Sequence, residues 1–297
     1  MAKSNEIKVG FCVAYDWEFL RISLLLVYSF ADKICLSLDK DRTSWTIQKF
    51  DFDDAAFYAF VREIDTRSII DIYEDDFHQT DLTPMQNEVR QRKLIASRLG
   101  VGGWHLQLDT DEYFMDFEGF VAYLKKCKSN KQINITCPWY TMYKQVKNGC
   151  LFISEDEKEL EFIPIATRYP HYEFGRRNGY FNIKTPFVIL HQSWARSEQE
   201  ILQKISNWGH KEDFDVMQYF QRWQSLNETN FREYTDFHPI HPAIWKQLEM
   251  REGKDIPTII TNLKTNPPFK IDNRKLKKDN SLWRSRIKHY LSKIKKS

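Results

Sequence analysis

The chain has 297 residues and a formal net charge of +3, and 42% of its residues are hydrophobic, including 21 Phe, 14 Tyr and 9 Trp. This richness in apolar and aromatic residues supports a sizeable core and excludes a disordered or fibrous protein. The length fits one large α/β domain or such a domain with an appended tail.

The positive charge is concentrated at the carboxyl terminus. Residues 270–296 contain eleven Lys or Arg and two Asp, a net of +9, which leaves −6 for the rest of the chain. An acidic body does not match a nucleic-acid-binding module, whose folded part usually carries the basic surface, so we expect no nucleic-acid partner. Residues 281–296 also place Trp, Leu and Ile on one side of a basic helix, which predicts contact with an anionic membrane surface.

No segment predicts export or membrane insertion. The first residues lack the apolar run of a signal peptide, and no stretch approaches about 18 apolar residues. The five cysteines are irregularly spaced and form no C-x-x-C pair, which argues against a zinc or redox motif. We therefore expect a cytoplasmic protein that associates peripherally with the inner face of a membrane.

The first half alternates strand-like and helix-like segments, a pattern typical of a parallel sheet with crossover helices. The predicted strands are short apolar runs at residues 7–14, 33–38, 68–73 and 104–108. The predicted helices cover residues 17–30, 53–64 and 84–99. The last helix has Thr83 as its N-cap, Pro84 at its first position and Gly100 just past its end.

The pattern is less regular after residue 115. It predicts a helix at 116–127, a strand at 132–137, a hairpin at 143–153 that turns at Asn148-Gly149, and a strand at 187–190. Further helices are predicted at 197–208, 213–223 and 242–250. Ser197 and Glu200 have the spacing of a capping box for the first of these helices.

Acidic residues follow three of the predicted strands. Asp16 comes after the first, Asp39 after the second, and Asp109-Thr110-Asp111 after the fourth. Ligands of open α/β sheets bind beyond the carboxyl ends of the strands, although Asp is also a common turn residue. Two carboxylates separated by one residue can share Mg²⁺ or Mn²⁺, which then bridges the diphosphate of a nucleotide.

Two segments resemble a known family. Leu108-Asp-Thr-Asp-Glu-Tyr-Phe114, placed after a strand, looks like the D-x-D loop of GT-A glycosyltransferases, especially the family-2-like bacterial enzymes. His191-Gln-Ser-Trp-Ala-Arg-Ser197, followed by Lys204-Ile-Ser-Asn-Trp-Gly-His210, is similar to a later region of the same group. The resemblance covers residues 7–215 and is weak between residues 127 and 186.

This resemblance implies the α/β GT-A fold, a Rossmann-like nucleotide-binding half joined to an acceptor-binding half. We place the nucleotide-sugar half at residues 1–115 and the acceptor half at 116–268, ending at the Pro267-Pro268 pair. Residues 269–297 would then form a basic amphipathic helical tail.

The resemblance also implies roles for individual residues. The expected metal ligands are Asp109, Asp111 and His191, with His210 as a rival to His191. The expected donor-binding residues are Asp16, Asp39, Arg92, Asp109, Trp194 and Arg196, with Glu18, Arg90 and Trp208 as weaker candidates. Core packing is an equally good interpretation of the tryptophans, as is a solvated helix face for the helical arginines.

The resemblance implies inversion at the anomeric carbon, with a general base acting on the acceptor hydroxyl, while retention stays open because the D-x-D loop serves both mechanisms. We favour Asp213 and Glu212 as that base, because they follow the Trp-Gly-His segment, while Asp215 and Glu173 stay open. Asp213 could instead cap the next helix.

The sequence therefore predicts a metal-dependent glycosyltransferase that uses Mn²⁺ or Mg²⁺. It would move a sugar from a nucleotide-sugar donor to a glycan or lipid-linked acceptor in bacterial surface polysaccharide or lipopolysaccharide synthesis. One alternative is a nucleotidyltransferase-like phosphate enzyme, although Gly10 alone near the first strand makes no Gly-rich phosphate loop. The other is a non-catalytic carbohydrate-binding protein on the same fold.

Overall fold

Four apolar segments of the first half form a parallel sheet. The computed structural model describes residues 5–129, 131–154, 160–207, 214–241, 244–268 and 270–281. The parallel strands are β1 (Ile7–Val13), β2 (Lys33–Asp39), β3 (Ile70–Asp75) and β4 (Trp104–Asp109), in the spatial order β4-β1-β2-β3. Every residue of β1 is buried, which explains why its sequence is apolar at nearly every position rather than alternating.

Three helices connect these strands: α1 (Leu20–Tyr28), α2 (Asp54–Ile64) and α3 (Pro84–Leu99). A short 3₁₀ turn, Trp17–Phe19, precedes α1. The predicted capping of α3 is confirmed, because the side chains of Thr83 and Gln86 each accept a hydrogen bond from the other's backbone amide. Gly100 ends this helix with a φ of +78°, a conformation that favours glycine.

The second half extends the sheet with mostly antiparallel strands. They are β5 (Glu112–Phe114), β6 (Ile133–Val146), β7 (Gly149–Ile153), β8 (Phe162–Thr167), β9 (Phe181–Lys184), β10 (Ile189–His191) and β11 (Leu248–Glu252). β8 joins the halves because it pairs with both β4 and β6, which gives the order β11-β7-β6-β8-β4-β1-β2-β3. The α/β class is therefore confirmed, with a mixed sheet, and the GT-A assignment stays a prediction.

The other helices are α4 (Phe117–Lys126), α5 (Glu198–Asn207), α6 (Val216–Ser225), α7 (Ile256–Thr265) and α8 (Asn273–Asp279). The main core lies between the sheet and α1, α2 and α4, with Leu24, Phe57 and Phe120 fully buried. A second cluster, which includes Trp194 and Trp223, packs α5 and α6 against β6 and β7. This second cluster positions the segment that follows β10.

Some predictions for the second half are wrong. A helix was expected at residues 242–250, but residues 248–252 form β11, which pairs antiparallel with β7. The free edge of β7 supplies backbone partners that local periodicity does not reveal. The predicted β6–β7 hairpin is confirmed, with its turn at Lys147-Asn148, one residue earlier than expected. Strands β5, β8 and β9 and helix α7 have no counterpart in the prediction, whereas α8 falls within the predicted basic tail at residues 269–297.

The chain beyond Pro268 packs partly on the sheet. Leu276 of α8 is buried, the Lys184 ammonium lies 3.1 Å from the Asp279 carboxylate, and the Lys184 amide donates to Asn280 Oδ1 at 2.8 Å. Residues 282–297, which carry the predicted amphipathic helix, lie outside the described residues. Within the described ranges, no helix is both long and apolar enough to cross a membrane.

Candidate functional site

A cavity of about 510 Å³ opens at the carboxyl ends of β1 and β4. Its wall contains Asp16 after β1, Asp109 at the end of β4 with Asp111 just after it, and His191 at the end of β10 with Arg196 after it. The two strands are parallel neighbours, so their carboxyl ends meet at one edge of the sheet. The fold thus brings together five of the residues that the sequence suggested for metal or donor binding.

Asp109 is held by arginines from two different segments. Its Oδ1 accepts a hydrogen bond from Arg92 Nη2 at 2.8 Å, and its Oδ2 lies 3.5 Å from Arg176 Nη2. Although burial raises the pKa of Asp109, the two guanidinium groups hold that pKa well below its ordinary value. Asp109 is therefore a carboxylate that stays charged at the cavity wall. Arg92 is fully buried, so it can affect the cavity only by holding the Asp109 carboxylate.

Arg176 was not suggested by the sequence, yet it organises the loop after β4. Its guanidinium donates to both oxygens of the buried Glu112 carboxylate, at 2.8 and 2.7 Å, and to the Gln107 carbonyl at 3.0 Å. Glu112 also accepts from Trp139 Nε1 at 2.8 Å and from the Asp109 amide at 3.0 Å. Such a bidentate pair fixes geometry as well as charge, so it sets the shape of the D-x-D loop.

Asp111 and Asp16 share one arginine. Arg196 Nη2 donates to Asp111 Oδ2 at 2.6 Å, while Arg196 Nη1 lies 3.0 Å from Asp16 Oδ2. Burial raises the pKa of Asp16. Burial also acts to raise the pKa of Asp111, but the nearby His191 and Arg196 outweigh it and lower that pKa below its ordinary value. Arg196 thereby links the end of β1 to the end of β4 across the cavity.

His191 lies over Trp139 and faces Asp111. The two rings stack with centroids 4.1 Å apart, and His191 Nε2 lies 3.8 Å from Asp111 Oδ1. Burial lowers the pKa of His191 to about 4, although Asp111 opposes this shift. The imidazole is therefore neutral near pH 7, the form that binds metals.

Asp111 and His191 are the two residues of the cavity wall that could hold a divalent cation. Among the described residues, no group of three or more His, Cys, Asp or Glu is arranged to hold a metal ion. Both Asp109 oxygens face arginines, whereas Asp111 Oδ1 faces His191. Mg²⁺ is commonly held by one or two carboxylates together with substrate phosphates, so two protein ligands fit a cation that arrives with a nucleotide.

Asp39 does not line the cavity, because its carboxylate holds its own loop. Its Oδ1 accepts from the amides of Asp41 and Thr43 at 3.1 and 3.0 Å, and its Oδ2 lies 3.1 Å from His78 Nδ1. The wall beside it is formed instead by His78 and by residues 43–46, including Trp45. Asp39 therefore shapes the wall without facing the cavity.

Trp194 is also placed in the core rather than at the cavity. It is buried in the second cluster, with its ring centroid 5.2 Å from that of Tyr219. Of the weaker donor candidates, Glu18 pairs with Arg21 at 2.5 Å, and Arg90 donates to the Asp76 carbonyl at 2.6 Å. Neither of these lines the cavity.

The expected general bases do not appear in the described cavity wall. Asp213 and Glu212 lie outside the described residues, as do Trp208 and His210. Asp215 is the N-cap of α6, accepting from the Gln218 amide at 2.9 Å, and Glu173 lies 3.0 Å from the exposed His171 ring. Asp215 and Glu173 therefore have structural partners away from the cavity.

Lys204 lines the cavity, although the sequence assigned it no role. Its ammonium donates to the Ser193 carbonyl at 2.6 Å and lies 5.4 Å from the centre of the Trp194 ring. Burial, with a contribution from Arg196, lowers its pKa to about 8. A sequence signal did exist, because Lys204 lies three residues after the buried Ile201 on α5 and so shares its face.

A larger cavity, of about 680 Å³, lies at the opposite edge of the sheet. Its wall includes Gly100–Gly103, which precede β4, together with His105, Arg168 and Lys93. No acidic residue occurs among the described residues that line it. It therefore lacks the carboxylates that make the smaller cavity a candidate for nucleotide and metal chemistry.

No family model matches the chain, and no curated protein matches it. Among solved structures, it is similar to HddC from Yersinia pseudotuberculosis at 10% identity and a TM-score of 0.33, over 62% of this chain and 93% of that one. It is also similar to 4-diphosphocytidyl-2C-methyl-D-erythritol synthase from Anaerococcus prevotii at 12% identity and a TM-score of 0.30, over 93% and 95% of the two chains. Likenesses this distant carry no argument about activity.

Proposed function

We propose that the protein transfers a glycosyl group from a nucleotide-activated sugar to an acceptor hydroxyl. The observation that carries the proposal is the position of Asp111. Its carboxylate lies at the carboxyl end of the central parallel strands and faces the neutral His191 ring within a cavity. Ligands of open α/β sheets bind at this edge.

Each wall of the cavity has a role in this proposal. Asp111 and His191 would hold Mn²⁺ or Mg²⁺, which supplies charge neutralisation to the departing diphosphate. Arg196 and Lys204 supply two further cationic groups for phosphate oxygens. Tyr15 and Trp45, on loops after β1 and β2, give an aromatic wall that suits a nucleoside.

The acceptor side is less defined, and its base is proposed on the sequence resemblance. Asp213 and Glu212 stay the candidates for removing the proton from the acceptor hydroxyl as the glycosidic bond to the diphosphate breaks. Inversion of the anomeric carbon, a glycan or lipid-linked acceptor and a role in surface polysaccharide synthesis are parts of the same proposal.

A second candidate is nucleotidyl transfer, in which a sugar phosphate attacks a nucleoside triphosphate and releases pyrophosphate. The paired cations Arg196 and Lys204 favour it, because they would suit a triphosphate as well as a diphosphate. Against it, the segment after β1 reads Ala14-Tyr15-Asp16-Trp17, without the glycines of a phosphate-binding loop.

The test uses the full-length chain with two substrate sets and Mn²⁺. Nucleotide sugars, alone and with an acceptor panel, are assayed for release of nucleoside diphosphate, and sugar phosphates with nucleoside triphosphates are assayed for release of pyrophosphate. Thermal shift with each donor, with and without Mn²⁺, reports binding independently of turnover. Release of nucleoside diphosphate supports glycosyl transfer, and release of pyrophosphate alone replaces it with the second candidate.

The matched variants are Asp111→Asn and Asp51→Asn, the latter at an exposed position outside the cavity. We expect Asp111→Asn to lower turnover by about a hundredfold or more, because the charged metal ligand is lost, and Asp51→Asn to leave turnover unchanged. Equal activity of the two variants would contradict the assignment of Asp111. If no donor stabilises the wild type and no donor is turned over, a nucleotide-dependent activity is excluded.

A further inference from the structure

Phe174 is an exposed aromatic side chain at the mouth of the candidate-site cavity. Its side chain is 55% exposed, and Met85 and Glu88 at the start of α3 line the cavity beside it. Of the exposed large apolar side chains in the described ranges, Phe174 is the one that lines this cavity. An exposed aromatic ring beside a polar cavity is typical of a ligand-binding surface.

The turn that carries Phe174 is firmly anchored. The Phe174 amide donates to the Arg177 carbonyl at 3.2 Å, and the Arg177 amide donates back to the Phe174 carbonyl at 2.9 Å. Between them, Arg176 enters the interior and grips the buried Glu112 carboxylate with two hydrogen bonds. The backbone that carries the exposed ring is therefore anchored by a buried charge pair, which lowers the entropy lost when a ligand orders this turn.

Gly175 gives this turn its tight contact with α3. Its φ is +56°, and a Cβ at this position would lie 3.0 Å from Glu88 Oε1. Its amide lies 3.1 Å from Met85 Sδ. The turn thus lies directly against the first turns of α3, on the same side of the cavity as Glu88.

The sheet order places Phe174 away from the proposed nucleoside wall. Tyr15 and Trp45 follow β1 and β2, which lie on one side of β4. Phe174 lies two residues before Arg176, whose guanidinium donates to Glu112 after β4 and lies over the ring of Trp139 on β6, on the other side of β4. A donor with its base on the β1–β2 side and its diphosphate near Asp111 leaves the Phe174 side of the mouth for the second substrate.

We propose that Phe174 is a specificity-determining residue that stacks on a sugar ring of the acceptor. The inference rests on the proposed glycosyl transfer and deepens it by assigning the acceptor side of the site. A sugar ring has an apolar face of C–H groups, and an aromatic ring carried on an anchored turn selects acceptors by the geometry of that face. Arg176 is the positioning residue, because it anchors the turn that carries Phe174 and does not itself contact the acceptor.

The test measures binding of simple acceptor probes to the full chain in the presence of Mn²⁺ and UDP or GDP. The probes are the methyl α- and β-glycosides of glucose, galactose, mannose and N-acetylglucosamine, titrated by saturation-transfer NMR. The variants are Phe174→Ala and Phe174→Trp, with Leu25→Ala as the control at a comparably exposed position on α1. Thermal shift by the nucleotide with Mn²⁺ is measured on every variant.

We expect Phe174→Ala to raise the Kd of the best probe by about tenfold, and Phe174→Trp to restore most of the affinity. Leu25→Ala should leave the Kd unchanged, and the nucleotide should stabilise all four proteins equally. The inference is overturned if no probe binds the wild type, if Phe174→Ala leaves the Kd unchanged, or if nucleotide binding weakens in parallel. Absence of any nucleotide-induced stabilisation in the wild type contradicts the proposed function itself, whereas intact nucleotide binding without probe binding contradicts only the role of Phe174.

Discussion

The two edges of the parallel sheet differ in charge although the same strands form both. At the carboxyl edge, Asp16, Asp109 and Asp111 meet three arginines around the smaller cavity. At the amino edge, the larger cavity is lined by glycines, His105 and cationic side chains. The comparison indicates that the acidic residues converge at the carboxyl ends of the parallel strands, although the cavity at that edge is the smaller of the two.

A buried imidazole with a lowered pKa lies at each edge, His191 at the carboxyl edge and His105 at the amino edge. Burial lowers the pKa of both to about 4, and Lys8 contributes to the shift of His105, whereas Asp111 opposes the shift of His191. The Lys8 ammonium, itself buried, donates to the carbonyls of Gly100 and Val101 at 2.9 and 3.0 Å. At the amino edge the Lys8 ammonium therefore holds the loop before β4, whereas at the carboxyl edge charged side chains line a cavity.

The largest expected effect is the loss of the buried charge pair at the carboxyl edge. Arg176→Met should lower the free energy of unfolding by about 3–5 kcal/mol, because it leaves the Glu112 carboxylate buried without its partner. Arg177→Met is the matched control, since Arg177 pairs with Glu161 at the surface and should contribute about 1 kcal/mol or less. Urea denaturation of both variants checks this, and equal losses would contradict the role given to Arg176.

The next effect tests the amino edge through pH. The folded-state pKa of His105 is about 4, whereas its ordinary value is 6.5. Above pH 6.5 the imidazole is neutral in both the folded and the unfolded chain, so protonation costs the fold no stability there. As the pH falls from 6.5 through 4, roughly 3 kcal/mol of stability is lost, because the unfolded chain binds the proton more readily. His105→Gln should flatten this part of the pH profile in urea denaturation without changing donor-induced stabilisation.

His191→Gln is the counterpart at the carboxyl edge. It should flatten the same part of the pH profile and also weaken stabilisation by donor and Mn²⁺. If His105→Gln weakens donor binding as much as His191→Gln does, the distinction between the two edges fails.

The smallest effect concerns the two lysines at the two cavities. Lys204→Gln should weaken donor binding about tenfold near pH 7, because one cation that faces phosphate is lost. In the wild type the affinity should also fall as the pH rises through about 8, where the Lys204 ammonium loses its proton. Lys93→Gln at the larger cavity should change neither the affinity nor its pH dependence. Isothermal titration with the best donor at pH 7 and pH 9 measures both variants.

The first half of the fold could be predicted because its signals are local. A near-continuous apolar run defines β1, segments rich in apolar residues define β2 and β4, and the Thr83-Pro84 start and Gly100 end of α3 depend only on neighbouring backbone groups. Strand β11 shows the opposite case, since its residues become a strand only because β7 offers an unpaired edge.

For the candidate site, the sequence by itself determined which acids follow which strands, because a residue after a parallel strand must lie at the carboxyl edge. It also indicated His191 and Arg196 through a resemblance whose residues the fold brings to the same cavity. Only the tertiary structure decided how the charges pair. Arg176 is 64 residues from Glu112 and Arg196 is 85 residues from Asp111, and no periodicity relates positions so far apart. Those pairs form because buried carboxylates need a cation, and packing decides which cation is within reach.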